Sequence, residues 1–125
     1  MKKKVICFDL DGVICITPKG NYKKSKPIRE VIKYINFLYD QGFYIKIFTA
    51  RYMTRLKGNC KKIIKEKFKI TNEQLREWKL NYHELIMCKP TYDLFVDDKS
   101  IGFNNNWLKN IKKILKKLKS YEKFN

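Results

Sequence analysis

Lys4-Val5-Ile6-Cys7-Phe8-Asp9-Leu10-Asp11-Gly12 joins a continuous apolar run to two acids and a glycine. A short apolar run closed by a charge and a turn residue reads as a buried strand of a parallel sheet, here Lys4 to Leu10. Sheets of this kind bind ligands outside the carboxyl ends of their strands. The first strand therefore delivers Asp9 and Asp11 to the edge where chemistry is expected.

The flanking residues fit the same scheme. Val13 to Lys26 contains Pro18-Lys19-Gly20-Asn21, a turn signal that suits a short hairpin or flap over residues 13–26. Pro27 suits a first helical position, and Ile28, Val31, Ile32, Ile35 and Leu38 recur at helical spacing up to a stop at Gly42. Phe43 to Phe48 reads as a second strand. A helix starts near Gly58-Asn59 and carries Ile63, Ile64 and Phe68. Thr71-x-x-Gln74 has the form of a capping box opening a further short helix with Leu75 and Trp78. Leu85 to Cys88 reads as a third strand and Asp93 to Val96 as a fourth. A last helix over 106–121 sets Trp107, Leu108, Ile111, Ile114, Leu115 and Leu118 on one stripe, with Lys109, Lys112, Lys113, Lys116 and Lys117 on the other face. Such a helix is expected to cover one face of the sheet. Strands alternating with helices predict an α/β fold, a three-layer Rossmann-like and mostly parallel sheet. The 125 residues suit a single domain, 1–125.

Composition narrows the classes. Hydrophobic residues make up 44% of the chain, a globular value. No apolar run approaches the roughly 18 residues of a membrane span. Met1-Lys2-Lys3-Lys4 resembles the start of a signal peptide, but Asp9 and Asp11 interrupt the apolar stretch that should follow, and the sequence reads as cytoplasmic. Cys7, Cys15, Cys60 and Cys88 form no C-x-x-C pair and read as buried free thiols. His83, the single histidine, has no ligand-spaced partner and reads as a surface or capping residue rather than a zinc ligand. The formal charge of +17 attracts anions: nucleic acid, membrane surfaces or phosphorylated metabolites. Its lysines are scattered, as a composition-wide preference for Lys, Ile and Asn would scatter them. The aromatic residues mostly sit on apolar stripes rather than among the cations, so a base-stacking surface is not the favoured reading and nucleic acid is a secondary candidate partner.

Each expected strand ends in a reactive group: Asp9-Leu10-Asp11-Gly12, Thr49-Ala50-Arg51, Lys89-Pro90 and Asp97-Asp98. Clustered carboxylates repel, so a cation must hold them. Oxygen ligands without His or Cys select a hard ion, Mg²⁺ before Ca²⁺ or Zn²⁺, and Mg²⁺ commonly shares its shell with a phosphate oxygen. Thr49 and Lys89 could hold the remaining phosphate oxygens. An aspartate facing phosphorus is a candidate nucleophile, and a second acid two residues on suits proton transfer. Three other readings use similar residues. A calcium loop would follow a helix and place a Glu at its twelfth position. A receiver domain would put one phosphoacceptor Asp on its third strand, where this chain has Lys89. Acids at strand ends also make ordinary turns.

The ordered set resembles the four motifs of the haloacid dehalogenase superfamily: Asp9 to Gly12, then Ile45-Lys46-Ile47-Phe48-Thr49, then Lys89, then Asp97-Asp98 after Leu94-Phe95-Val96. Thr49-Ala50-Arg51-Tyr52-Met53, Lys57-Gly58-Asn59 and Val96-Asp97-Asp98-Lys99-Ser100-Ile101 also resemble small phosphatases of capsule or lipopolysaccharide biosynthesis. Gly12 and the segment Gly102 to Trp107 depart from that group. The resemblance implies Asp9 as nucleophile and metal ligand. It implies Asp11 as general acid and base, with its backbone carbonyl on the metal. Thr49 and Lys89 would bind the phosphoryl group, and Asp97 and Asp98 would hold Mg²⁺ directly or through water. Arg51 is a candidate substrate-binding fork, with pairing to a local acid as the alternative. Superfamily members often carry a cap after the first or second motif, and neither gap here leaves room for one. The expectation is an open-site phosphomonoesterase for a small sugar- or polyol-phosphate. The alternatives are a polynucleotide 3′-phosphatase and a nucleic-acid-binding or regulatory module with a vestigial site.

Overall fold

The computed structural model describes residues 4–122. In chain order it holds β1 (Val5–Asp9), the short strands β2 (Cys15–Ile16) and β3 (Lys26–Pro27), α1 (Arg29–Asp40), β4 (Tyr44–Phe48), α2 (Cys60–Glu77), β5 (Glu84–Ile86) and α3 (Trp107–Glu122). The chain divides after Thr91 into two compact units.

In the first unit, β1, β4 and β5 form a parallel sheet in that order. The register runs from Val5 opposite Tyr44 to Asp9 opposite Phe48, and from Lys46 opposite Glu84 to Phe48 opposite Ile86. All three strands therefore finish on one edge. This is a small Rossmann-like α/β fold with a mostly parallel sheet, in keeping with the class expected from sequence. The core is aliphatic: Ile45 and Ile47 of β4 are buried, as is Phe43 just before it. α1 turns Val31, Ile32, Ile35 and Leu38 inward, each side chain contributing about 1.5–3 kcal/mol when fully buried. The chain reverses after α1 at Gly42, whose φ of +95° is a conformation that costs glycine least.

Several expectations need correction. β1 is not buried on both faces: Phe8 is buried, while Val5 and Cys7 are exposed. The strand's period of two sends alternate residues to opposite faces, so an unbroken apolar run did not require two covered faces. None of the four cysteines is held in a disulfide, but only Cys15 is buried, where burial was expected of all. Pro27 does not start α1; it pairs with Cys15 in the β2–β3 hairpin, which forms the expected flap. Thr71 opens no helix. It lies inside α2, where its hydroxyl donates to the carbonyl of Lys67 at 2.9 Å. The working N-cap is Asn59, whose side chain accepts the Lys62 amide at 3.2 Å. A capping box needs a chain break before it, and Lys67 to Ile70 supply only helix formers.

The second unit contains α3 close to its expected span, with Ile111 and Leu115 buried. The side chain of Leu118, also assigned to the apolar stripe, lies outside the described residues, as do Met1 to Lys3. Asp93 to Val96 is not a strand: Leu94 and Val96 are 80% and 87% exposed. A three-residue apolar run specifies a strand only through a ladder partner. Here the following acid competes for the backbone instead: Asp97 Oδ1 accepts the Lys99 amide at 2.9 Å, and its carbonyl accepts the Ser100 hydroxyl at 3.1 Å. Among the described residues, no helix is long and apolar enough to cross a membrane.

Candidate active site

Asp9 is the last residue of β1. The chain folds at once into a tight turn, in which the Leu10 carbonyl accepts the amides of Val13, Ile14 and Cys15. Gly12, at φ +87°, permits it. Asp9 thereby stops at the sheet edge with its Oδ1 held by the Leu10 amide at 2.9 Å. Its side chain keeps 38% of its exposure.

Lys89 arrives at the same edge from the far strand, just beyond β5. The Thr49 amide donates to the Ile86 carbonyl and the Lys89 amide to the Thr49 carbonyl, each at 3.0 Å, so the β4–β5 pairing continues past both strands. Cys88, at φ +70°, turns the chain just before Lys89. The Lys89 ammonium then stands 3.7 Å from Asp9 Oδ1 and 5.9 Å from the centre of the Phe48 ring. Burial pushes the Asp9 carboxyl above its ordinary value, and the Asp11 charge adds to that. Lys89 and the Leu10 amide pull the other way without cancelling it. Thr49 is buried at the end of β4, and its hydroxyl accepts the Arg51 amide at 3.1 Å. That leaves the hydroxyl proton for another acceptor.

Asp11 faces a different environment. Arg51 Nη2 donates to its Oδ1 and Nε to its Oδ2, both at 2.9 Å, a two-point fork. Thr17 adds a short hydroxyl hydrogen bond. Burial alone would raise the Asp11 pKa, but the guanidinium outweighs it and holds the carboxyl below the usual range. The Arg51 side chain is 1% exposed. Its other N–H groups reach Gln74 Oε1 at 2.6 Å and Ser25 Oγ at 3.1 Å. The fork suggested for substrate is thus turned inward, onto the local acid that was its alternative. Cys15 lies against the same group, with its thiol pushed up to about 11 by burial and the Asp11 charge, so it stays neutral.

Arg51 also ties the flap down. Its guanidinium lies 4.7 Å from the Tyr22 ring centre, and Tyr22 meets Tyr52 edge to face at 4.7 Å. Arg55 donates to the Gly20 carbonyl at 2.7 Å and Gln74 Nε2 to the Tyr22 carbonyl at 2.7 Å. Aromatics and cations do interleave here, contrary to the expectation that they stay apart, but against each other. Ser25, Thr17, Gln74 and Tyr22 were missed by sequence reasoning. They hold the Asp11–Arg51 pair from the flap and from α2, and nothing in their local spacing marks them.

The structure therefore brings Asp9, Asp11, Thr49, Arg51 and Lys89 together at one sheet edge. Asp97 and Asp98 are exposed in the other unit. Among the described residues, no three His, Cys, Asp or Glu side chains gather as a metal site. The donor chemistry at the edge nonetheless fits Mg²⁺, which takes one or two carboxylates and fills its shell with water and phosphate oxygens. The half-open Asp9 carboxylate is a donor of that kind.

No family profile matches the chain, and no curated protein matches it. Among solved structures, the chain is similar to the crystal structure of an MCSG target from Vibrio cholerae: 28% identity, TM-score 0.74, covering 91% of this chain and 98% of that one. A chain of the Pnkp1/Rnl/Hen1 complex is similar at 20% identity and TM-score 0.50, over 77% of this chain and 31% of that one. The first likeness extends over nearly the whole of both chains, and the second is a likeness of fold.

Proposed function

We propose that the chain is a Mg²⁺-dependent phosphomonoesterase of haloacid dehalogenase type that hydrolyses a small sugar- or polyol-phosphate, as in surface polysaccharide biosynthesis. The observation that carries this reading is the half-open Asp9 carboxylate with the Lys89 ammonium 3.7 Å away at the carboxyl edge of a parallel sheet. Nucleophile and phosphate-neutralising cation stand where a phosphoryl group can meet both.

In the proposed reaction, an Asp9 oxygen attacks phosphorus, the bond from phosphorus to the ester oxygen breaks, and the departing alkoxide takes a proton from Asp11. Water then attacks the aspartyl-phosphate, Asp11 takes its proton, and the P–O bond to Asp9 breaks to release phosphate. Thr49 and Lys89 hold the non-bridging oxygens. Asp11 is ionised and gripped by Arg51, ready to act as a base. To act as an acid it must take up a proton and loosen that fork. Asp9 and the Asp11 carbonyl would hold Mg²⁺, which would supply charge neutralisation and alignment of the phosphate.

The test measures kcat/KM on sugar, polyol and aryl phosphates, with Mg²⁺ or with excess chelator, and on a 3′-phosphorylated oligonucleotide at near-physiological salt. Turnover of the small esters that stops with chelator is expected. Full activity in chelator overturns the metal role. A tenfold preference for the oligonucleotide, about 1.4 kcal/mol, replaces the small-ester reading with a polynucleotide 3′-phosphatase.

A further inference from the structure

Beside the amino end of β5, at the opposite edge of the sheet from Asp9, a cavity of about 500 Å³ opens between α1 and α2. Ligand sites commonly fall between about 300 and 1,000 Å³. Phe68, Asn72 and Arg76 of α2 recur every fourth residue and so present one helix face to it. Tyr39 of α1 and the loop residues Asn81 and Tyr82 line the rest.

Its walls are fixed by hydrogen bonds between α1, the loop and the β4–β5 pair. Asn36 on α1 grips the loop at both ends, donating to the Lys79 carbonyl at 2.9 Å and accepting the Asn81 amide at 2.7 Å. His83 exchanges two hydrogen bonds with the backbone of Ile45, both at 2.9 Å, and stacks between Tyr39 and Tyr44. Since His83 Nδ1 accepts, the ring proton of the neutral form sits on Nε2. The Tyr82 hydroxyl donates to Asn72 Oδ1 in a short hydrogen bond, which turns the Asn72 amide NH₂ away as a donor. Arg76 lies close enough to the same hydroxyl to pull down a pKa that burial raises.

Arg76 is the odd member. It is exposed, and among the described residues no carboxylate lies within ion-pair distance of it. Glu73, one turn before it on α2, is engaged with Lys69 at 4.0 Å. A planar cation at the mouth of a pre-formed cavity suits a phosphate, which it can bind at two points. Aromatic walls from Phe68, Tyr39 and Tyr82 suit a flat ring. The amides of Asn72 and Asn81 offer the donors and acceptors that the edge of a nucleobase matches.

We propose that this cavity is a second ligand site, separate from the catalytic edge, that binds a nucleoside monophosphate with its phosphate on Arg76 and its base among the rings. The ligand modulates or anchors the protein, while the proposed chemistry stays at Asp9 on the opposite edge of the sheet.

Calorimetric titration of the full chain in excess chelator tests it, using AMP, adenosine, ribose 5-phosphate and inorganic phosphate as probes. AMP should bind saturably and at least about tenfold more tightly than any of its parts. Arg76→Gln should weaken AMP about tenfold or more, and Asn81→Ala severalfold, while Lys89→Ala leaves it unchanged. Both substituted cavity positions are exposed, so folding is checked by circular dichroism and preserved in each. Four results overturn the proposal: phosphate alone binding as tightly as AMP, unchanged AMP affinity in Arg76→Gln, loss of affinity in Lys89→Ala, or no saturation at millimolar AMP.

Discussion

The mouth of the site at Asp9 and the knot around Asp11 lie two residues apart and hold the same side chain under opposite conditions. At the mouth, the carboxylate is half open, opposed by one ammonium at 3.7 Å, and its pKa is raised. In the knot, a two-point guanidinium fork and a hydroxyl hold the carboxylate, and its pKa is lowered. The difference comes from what each charge meets after losing water. Asp9 is left partly uncompensated, which suits a group that must react. Asp11 is compensated as a structural ion would be, so any proton it delivers has to be won from Arg51. The turn at Gly12 separates the two by redirecting the chain between them.

The largest effect expected from this contrast is on turnover. Asp9→Asn should lower kcat on an aryl phosphate by at least about a thousandfold, the scale on which loss of a nucleophile acts. Retention of a tenth of the wild-type rate by the folded variant would remove Asp9 from the chemistry. The same variant should melt no lower than wild type, because a neutral amide replaces a carboxylate whose charged form is disfavoured. The melting difference should grow in the variant's favour as pH rises from the unfolded value of 3.8 through the raised folded one.

Asp11→Asn should do the reverse. It leaves the Arg51 guanidinium buried opposite a neutral amide. Breaking a buried pair costs about 3–5 kcal/mol, less where one partner reaches solvent, as the 28% exposed Asp11 does, so about 2–3 kcal/mol is expected. The sign with pH also reverses. The folded pKa of Asp11 is depressed, so the pair's contribution is fully present above the unfolded value of 3.8 and is lost as pH falls through the folded one. Chemical denaturation of both variants between about pH 3 and 7 should give stability differences that diverge with rising pH. Parallel curves would mean the two acids do not differ as described.

Lys89 offers a way to move one region toward the other. Lys89→Ala removes the cation that opposes Asp9, so the raised pKa of Asp9 should climb further. The acid limb of the pH–rate profile should shift to higher pH and KM should rise, with the Asp11 knot untouched. An unshifted limb would mean that Lys89 acts on substrate alone.

How much of this was legible depended on whether a residue's partner was close in sequence. Asp9, Thr49 and Lys89 were found because each closes an apolar run, and parallel strands put run-ends on one edge. α1 was found by its period. The Thr71 capping box failed because a local four-residue pattern says nothing about whether a helix is already under way. Asp93 to Val96 failed as a strand because three apolar residues need a partner that sequence does not name. The Arg51 fork was legible as a fork but not in its direction. Its partners Ser25 and Gln74 lie 26 and 23 residues away, and only the fold brings them in.

The smallest effect separates the knot from the flap above it. Arg55 donates to the Gly20 carbonyl at 2.7 Å and lies 5.4 Å from the ring centres of both Tyr22 and Tyr52. It is exposed, so its hydrogen bond and its contacts with the rings compete with water, and each contributes no more than about 1 kcal/mol. Arg55→Met keeps much of the side chain's length and apolar stem while removing the donor and the charge. Global stability should fall by about 1 kcal/mol or less, because Arg51 still lies on Tyr22 and Gln74 still holds the Tyr22 carbonyl. The flap itself should respond more than the whole. Amide exchange from Gly20 to Lys24 should quicken severalfold, while amides of β1 and β4 keep their protection. If Asp11, Thr17 and Ser25 hold the flap by themselves, exchange at its tip will not change. If instead exchange quickens equally in β1, the flap and the knot open as one unit, and the contrast between Asp9 and Asp11 cannot be drawn at the flap's root.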